Sequence, residues 1–227
     1  VKVMRKRNRL LVDKEVDLRK VFGLISYSPS VELGWDLEEI KKKVLELTKD
    51  KKFETFAIAA KRMGADLKLS SKEINGQIGE FVLNNLKKKV NLSQPDLTVG
   101  IEFIDDKAYI FTETVDCFGG LPVGVEGKVF LLIKNEKSLL AGLLMMKRGC
   151  DIMPVGLDDF DINLLQKYSP KELELKKIKT IKELEKFDLP LVVGSGVGEE
   201  TKLVVLEPLV GLNKAEISEK ISIFIRT

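Results

Sequence analysis

The sequence predicts an α/β protein in two parts: an α+β unit, then a unit built on a βαβ core and a parallel sheet. Three observations carry this. Ser70 and Glu73 form a capping box ahead of apolar residues at helical spacing (Ile74, Ile78, Phe81, Val82, Leu86). Residues 96–104 and 107–114 read as two strands joined at Asp105-Asp106, a hairpin signal. From Lys128 the pattern changes to strand (129–133), helix (138–148) and strand (151–155), which implies parallel pairing.

Taken in order, residues 3–12 read as a hairpin turning at Arg7-Asn8, and residues 17–22 as a short helix leading to Gly23. Residues 26–33 form a loop entering a strand. Asp36 caps a helix in which Leu37, Ile40, Val44, Leu45 and Leu47 fall at helical spacing, with Lys41, Lys42, Lys43 and Glu46 as its solvated face. Residues 52–61 read as a strand delivering Lys61 and Arg62 to the turn Met63-Gly64, and the capped helix after Ser70 runs to about Leu86 before Lys87-Lys88-Lys89. Beyond the βαβ core, Asp158, Asp159 and Asp161 make an acidic loop, read as a helix-starting turn or a magnesium site. The lysine- and glutamate-rich residues 168–187 are expected to be helical. Strands follow at 189–193 and 202–206, separated by the Gly194, Gly196, Gly198 turn, and a last helix starts at Lys214.

Composition narrows the chemistry. Hydrophobic residues make up 44% of the 227, enough for two modest cores. Histidine is absent, which removes Ser-His-Asp and Cys-His devices, a histidine base and histidine-ligated zinc. Cys117 and Cys150 stand far apart and form no C-x-x-C pair, so a disulfide framework or a tetrathiolate metal site is excluded. Cys150 reads as a small buried hydrophobe and Cys117 as the more exposed thiol. No apolar run approaches the roughly 20 residues that span a bilayer, and no signal-peptide order opens the chain, so a cytoplasmic protein without membrane association is expected. The chain opens at Val1 on what reads as a strand under way, which suggests that further sequence precedes it.

A net charge of +3 names no partner, so any nucleic-acid contact rests on local clusters. One is the N-terminal set that includes Arg5 and Arg7. Another is Lys61, Arg62 and Lys68, with Lys72 at the start of the capped helix.

A strand followed by a loop and a buried helix is also a frame for phosphate binding, which needs glycines so that backbone N–H groups can close around the anion. The loop here is Lys134-Asn135-Glu136-Lys137-Ser138, without glycine.

Together the stretches 21–33 (VFGLISYSPSVEL), 56–62 (FAIAAKR), 70–83 (SSKEINGQIGEFVL), 95–103 (PDLTVGIEF), 108–113 (AYIFTE), 119–129 (GGLPVGVEGKV), 145–155 (MMKRGCDIMPV) and 208–217 (PLVGLNKAEI) resemble the tRNA 4-thiouridine synthetase family. That family joins a THUMP domain to a PP-loop ATP pyrophosphatase domain. The resemblance implies a THUMP-like RNA-binding domain over 1–118, with a preceding ferredoxin-like module mostly missing. A joint at 119–127 and a PP-loop-like domain over 128–227 follow.

The departures matter as much. The family's S-G-G-x-D-S loop is replaced by 134–138, in which Ser138 alone stays in register and Lys137 falls at the aspartate position. The family's threonine-glycine-glutamate segment reads GSGVGEE at 194–200, and no cysteine follows Cys150 where a sulfur-transferring one belongs. The resemblance thus implies a protein that binds the acceptor end of tRNA through Lys61, Arg62, Lys68, Lys72, Arg5 and Arg7, on a degenerate PP-loop, with no cofactor. The alternative is an ATP-dependent tRNA sulfurtransferase of 4-thiouridine or thiamine thiazole biosynthesis, using ATP with Mg and a substitute phosphate turn at Gly194, Gly196 and Gly198. A homodimer, or a complex with a complete synthetase, is a further expectation.

Overall fold

The computed structural model describes residues 1–64 and 67–227. In chain order its elements are β1 (Val3–Lys6), β2 (Arg9–Val12), β3 (Ser26–Tyr27), β4 (Val31–Leu33), α1 (Leu37–Thr48), β5 (Thr55–Met63), α2 (Ser71–Leu86), β6 (Lys89–Val90), β7 (Leu97–Ile104), β8 (Lys107–Phe111) and β9 (Val115–Asp116). These are followed by β10 (Lys128–Ile133), α3 (Glu136–Lys147), β11 (Asp151–Gly156), α4 (Asn163–Gln166), β12 (Lys176–Lys177), a 3₁₀ helix (Ile181–Phe187), β13 (Leu191–Val193), β14 (Val205–Leu206) and α5 (Lys214–Arg226). The chain divides into two compact units, Val1–Val16 with Ser28–Val115, and Asp17–Tyr27 with Asp116–Thr227.

In the first unit a five-stranded sheet has the order β4-β8-β7-β5-β6, with β5 parallel to β6 and β7 and the remaining pairs antiparallel. Strand alternation explains its single-sided core. Phe56, Ile58 and Ala60 of β5, Val99, Ile101 and Phe103 of β7, and Ala108 and Ile110 of β8 face Ile40 and Val44 of α1 and Ile74, Ile78 and Val82 of α2. Both helix starts are as expected: Asp36 accepts from the backbone N–H of Glu38 and Glu39, and Ser70 and Glu73 close a reciprocal capping box. The β1–β2 hairpin turns at Arg7-Asn8, and β7 and β8 turn at Asp105-Asp106.

The second unit holds an all-parallel sheet in the order β12-β11-β10-β13-β14. It is covered on both faces, so β10 reads as an unbroken apolar run. Val129, Leu131 and Ile133 pack with α3, Leu165, Ile217 and Phe224, while Phe130 and Leu132 pack with Ile178, Ile181 and Leu184. The chain leaves β10 toward β11 and β12 and returns on the other side as β13 and β14. The space between β10 and β13 is therefore the topological switch point, where open α/β sheets bind ligands. The glycine-rich stretch ahead of β10 is fastened to the far end of α3: Leu121 N–H donates to Lys147 O (2.9 Å), and Gly124 and Glu126 N–H both donate to Gly149 O (2.8 and 3.0 Å).

Three expectations are corrected. Residues 17–22 are not helical. The Asp17 carboxylate takes the backbone N–H of Arg19 (3.0 Å) and its guanidinium (2.7 Å), and Phe22 turns into an aromatic cluster with Phe118, Tyr168 and Phe224. This segment groups with the second unit, whereas the boundary drawn from sequence sets it in the first.

Residues 168–187 are not one helix either. Leu173 and Leu175 lie two apart, and Ile178, Ile181 and Leu184 lie three apart; these are the periods of extended chain and of a 3₁₀ helix, and the latter forms over Ile181–Phe187. The strand expected over 202–206 shortens to Val205–Leu206. Among the described residues no helix is long and apolar enough to cross a membrane.

Candidate functional site

The basic residues of the first unit gather around the carboxyl end of β5, but on two sides of it. Arg62 follows the core-facing alternation of Phe56, Ile58 and Ala60, and its Nη1 donates to the carbonyls of Leu67 (3.3 Å) and Leu69 (3.1 Å). It therefore straps down the segment that leads into α2. There Lys68 and Lys72 are exposed, and neither has an ion-pair or hydrogen-bond partner among the described residues.

Lys61, one residue earlier on the strand, lies on the opposite face. It is exposed and sits in register with Glu102 of β7. Glu102 is already engaged by a two-pronged contact from Arg9, Nε to Oε2 at 2.8 Å and Nη2 to Oε1 at 2.7 Å, which raises the Arg9 pKa.

The hairpin arginines divide in the same way. Arg7 pairs with Asp105 at 2.9 Å, and its guanidinium lies so close to the backbone of Gly64 (φ +71°) that a Cβ there would stand 2.6 Å from it. Arg5 is exposed and makes one long contact, Nε to the Arg7 carbonyl at 3.5 Å. Folding thus brings Arg5 and Arg7 beside the Met63-Gly64 turn and Lys61, and puts Arg62 with Lys68 and Lys72. Of the six, Arg7 and Arg62 are committed to internal contacts. The ion pair across 98 residues that commits Arg7 has no local sequence signal.

The capping box itself shapes the local charge. Glu73 has its carboxyl pKa lowered, first by the Ser70 backbone N–H, then by the Ser70 hydroxyl and by Arg62 nearby.

In the second unit the loops after β10 and β13 meet at the switch point. Asn135 caps α3 by accepting the Lys137 N–H (3.0 Å), Ser138 N–H donates to Asn135 O (2.9 Å), and the buried Ser138 hydroxyl accepts the Lys134 N–H (3.1 Å). Of the first-turn N–H groups that would face an anion, those of Lys137 and Ser138 are thus taken by Asn135.

Gly194 is pressed against this loop: a Cβ would lie 2.5 Å from Lys137 C and from Ser138 N, so only glycine permits the approach. The Lys134 ammonium then reaches across to the glycine turn and donates to the carbonyls of Gly196 (3.2 Å) and Val197. That turn presents oxygen rather than N–H toward the loop. The two phosphate candidates of the sequence, the 134–138 loop and the Gly194, Gly196, Gly198 turn, are one connected structure.

Beside it lies a cleft of about 190 Å³ lined by Lys137, Ser195, Glu207, Leu209 and Ile217 among others. Glu207 and Ser195 carried no signal in sequence, since β14 and the loop after β13 become neighbours of α3 only through sheet order.

Asp161 accepts the Asn163 N–H at 2.8 Å, starting α4, and Asp159 pairs with Lys177 at 2.6 Å. Among the described residues no three Cys, Asp or Glu side chains converge on one point. Cys150 is buried, Cys117 is half-buried, and burial pushes both thiols upward in pKa, away from the thiolate that sulfur chemistry uses.

A family model for the THUMP domain matches residues 35–113, the span from just before α1 to just after β8. The probable tRNA sulfurtransferase of Thermococcus kodakarensis is 34% identical over 228 residues, covering 97% of this chain and 54% of that protein. Its counterpart in Methanocaldococcus jannaschii is 42% identical over 142 residues, 59% of this chain and 37% of that protein. The chain spans about half or less of the length of these curated relatives.

Among solved structures, PH1313 from Pyrococcus horikoshii Ot3 superposes with a TM-score of 0.84 at 30% identity, over 100% of this chain and 87% of that one. A 4-thiouridine synthetase in complex with RNA and bound ATP superposes with a TM-score of 0.78 at 26% identity, over 98% of this chain and 76% of that one. With its THUMP match, its parallel-sheet second unit and these relatives, the chain belongs to the THUMP-containing tRNA 4-thiouridine synthetase (tRNA sulfurtransferase) family.

Proposed function

We propose that this protein binds tRNA at its acceptor end through the THUMP-bearing unit, and that its own residues do not support ATP-dependent adenylation or sulfur transfer. The observation that carries the reading is a contrast between two helix starts. Beside the start of α2, Lys68 and Lys72 are exposed without partners among the described residues, and so is Lys61 on the opposite face of β5. Such a surface takes phosphate oxygens in a salt-sensitive manner, with little direct reading of bases. A related synthetase of known structure is an RNA complex, which supports RNA as the polyanion.

At α3 the residues do not fit a triphosphate. Asn135 takes the first-turn contacts, the Lys134 ammonium rests on turn carbonyls, and Glu136 puts a carboxylate in the first turn of α3. The adjoining cleft of about 190 Å³ is also below the roughly 300–1,000 Å³ usual for small-molecule sites.

The second reading, an ATP-dependent tRNA sulfurtransferase, is favoured by the names of the relatives. It needs the Lys134 bridge to open so that the 194–198 turn can invert toward phosphate. Pyrophosphate release from ATP in the presence of unmodified tRNA tests it: release establishes the second reading, and tRNA binding without release supports the first.

A further inference from the structure

The far end of α2 carries a second basic feature that the reading above does not use. A shallow groove of about 470 Å³ is lined by Leu83, Asn84, Lys87, Lys88, Lys89 and Val90. Its floor is apolar and unusually open, with Leu83 41% and Val90 47% exposed.

Its rim is cationic. Lys88 is held in place, paired with Glu54 at 3.2 Å and lying over the Phe53 ring at 5.4 Å. Lys87 and Lys89 are exposed, and neither ammonium has a partner among the described residues. Lys87 caps α2 in the left-handed region (φ 53°, ψ 33°), where glycine or asparagine is the unstrained choice. Lysine at this position carries a backbone cost that glycine would not.

The lysines of a helix C-terminus are ordinarily explained by the dipole, but that explanation is met by any lysine in the last turn and does not require one at the strained cap. The groove is separated from the Lys68 and Lys72 end by the 16 residues of α2, about 24 Å at 1.5 Å per residue. The exposed helix surface between holds Glu73 and Glu80, so the two basic ends are distinct contacts rather than one stripe.

We infer that the Leu83–Val90 groove is a second RNA-backbone contact, in which Lys87 and Lys89 take phosphate oxygens while Leu83 and Val90 take the apolar face of a ribose or base. This inference rests on the proposed tRNA binding and extends it to an RNA long enough to reach both ends of α2.

The test is a salt titration of binding to a full-length tRNA transcript by the whole protein. It compares wild type, Lys87→Ala with Lys89→Ala, and Lys61→Ala with Lys68→Ala and Lys72→Ala. Two lost phosphate contacts should make the slope of log K against log salt shallower by about 1.4 to 1.8. Lys87→Gly separates use from architecture. It should raise the melting temperature, because glycine relieves the left-handed backbone, and weaken tRNA binding several-fold. A raised melting temperature with unchanged binding, or an unchanged slope in the Lys87→Ala, Lys89→Ala variant beside a reduced one in the triple variant, overturns this inference alone. Failure of the wild type to bind tRNA overturns it together with the reading on which it stands.

Discussion

The two units each place a helix N-terminus at the carboxyl end of a parallel strand, and the two are finished in opposite ways. At α2 the capping box of Ser70 and Glu73 satisfies the backbone and leaves Lys68 and Lys72 facing solvent. At α3 the same backbone need is met by Asn135, and the one cation of the loop that reaches across, Lys134, is spent on Gly196 and Val197. An anion site requires more than a helix start: it requires donors left over once the helix has been capped. The first unit leaves exposed cations over, whereas the second ties Lys134 into an internal fastening and leaves the half-buried Lys137 at its cleft.

The largest effect should come from removing that surplus. Reversing charge at Lys61, Lys68 and Lys72 together is expected to weaken tRNA binding on the order of 100-fold at low salt, read by titration at several ionic strengths. Reversal at Arg62 alone should instead lower stability, because its guanidinium holds the Leu67 and Leu69 carbonyls.

On the other side of the comparison, Gly194→Ala forces a Cβ to within 2.5 Å of the backbone at Lys137 and Ser138. A cost of about 1–3 kcal/mol in denaturant unfolding is expected, as for other overpacked positions.

Ser70→Ala should cost about 1 kcal/mol through the lost cap. It should also flatten a pH dependence in part, since alanine keeps the backbone N–H that lowers the Glu73 pKa most and loses only the hydroxyl. The Glu73 carboxyl pKa is lowered in the folded state, so its contribution is present above the ordinary glutamate range and is lost as pH falls through the lowered value. The wild type should therefore lose more stability on acidification than the variant.

The smallest effect is expected from Lys134→Met. The side chain is exposed, so the change in stability should stay within about 1 kcal/mol. Amide exchange across 194–200 should nonetheless quicken, while ATP affinity does not appear, since Asn135 still caps α3.

Much of this was legible in sequence where local chemistry decides. The Asp36 and Ser70 caps, the Asp105-Asp106 hairpin and the βαβ core follow from residues within a few positions of one another, and α2 ends at Leu86 as its spacing implies. Lysine and glutamate content misleads at 168–187, where the apolar periods of two and three were the better guide. At 17–22 the Asp17 carboxylate, accepting the Arg19 N–H and guanidinium, holds a turn in place of the expected helix.

The site was legible as residue types but not as relations. That Lys61 and Arg62 part to opposite faces follows from strand alternation once β5 is recognised. The Arg7–Asp105 and Arg9–Glu102 pairs and the Lys134 bridge depend on sheet order and on contacts spanning 62 to 98 residues.

The most direct test of the contrast between the two helix starts is calorimetry on a single preparation, titrated first with ATP and Mg and then with a tRNA acceptor-stem minihelix. Salt-sensitive heat with the minihelix and none with ATP is the expected result. Saturable ATP binding, or minihelix binding that is absent or indifferent to salt, would contradict it.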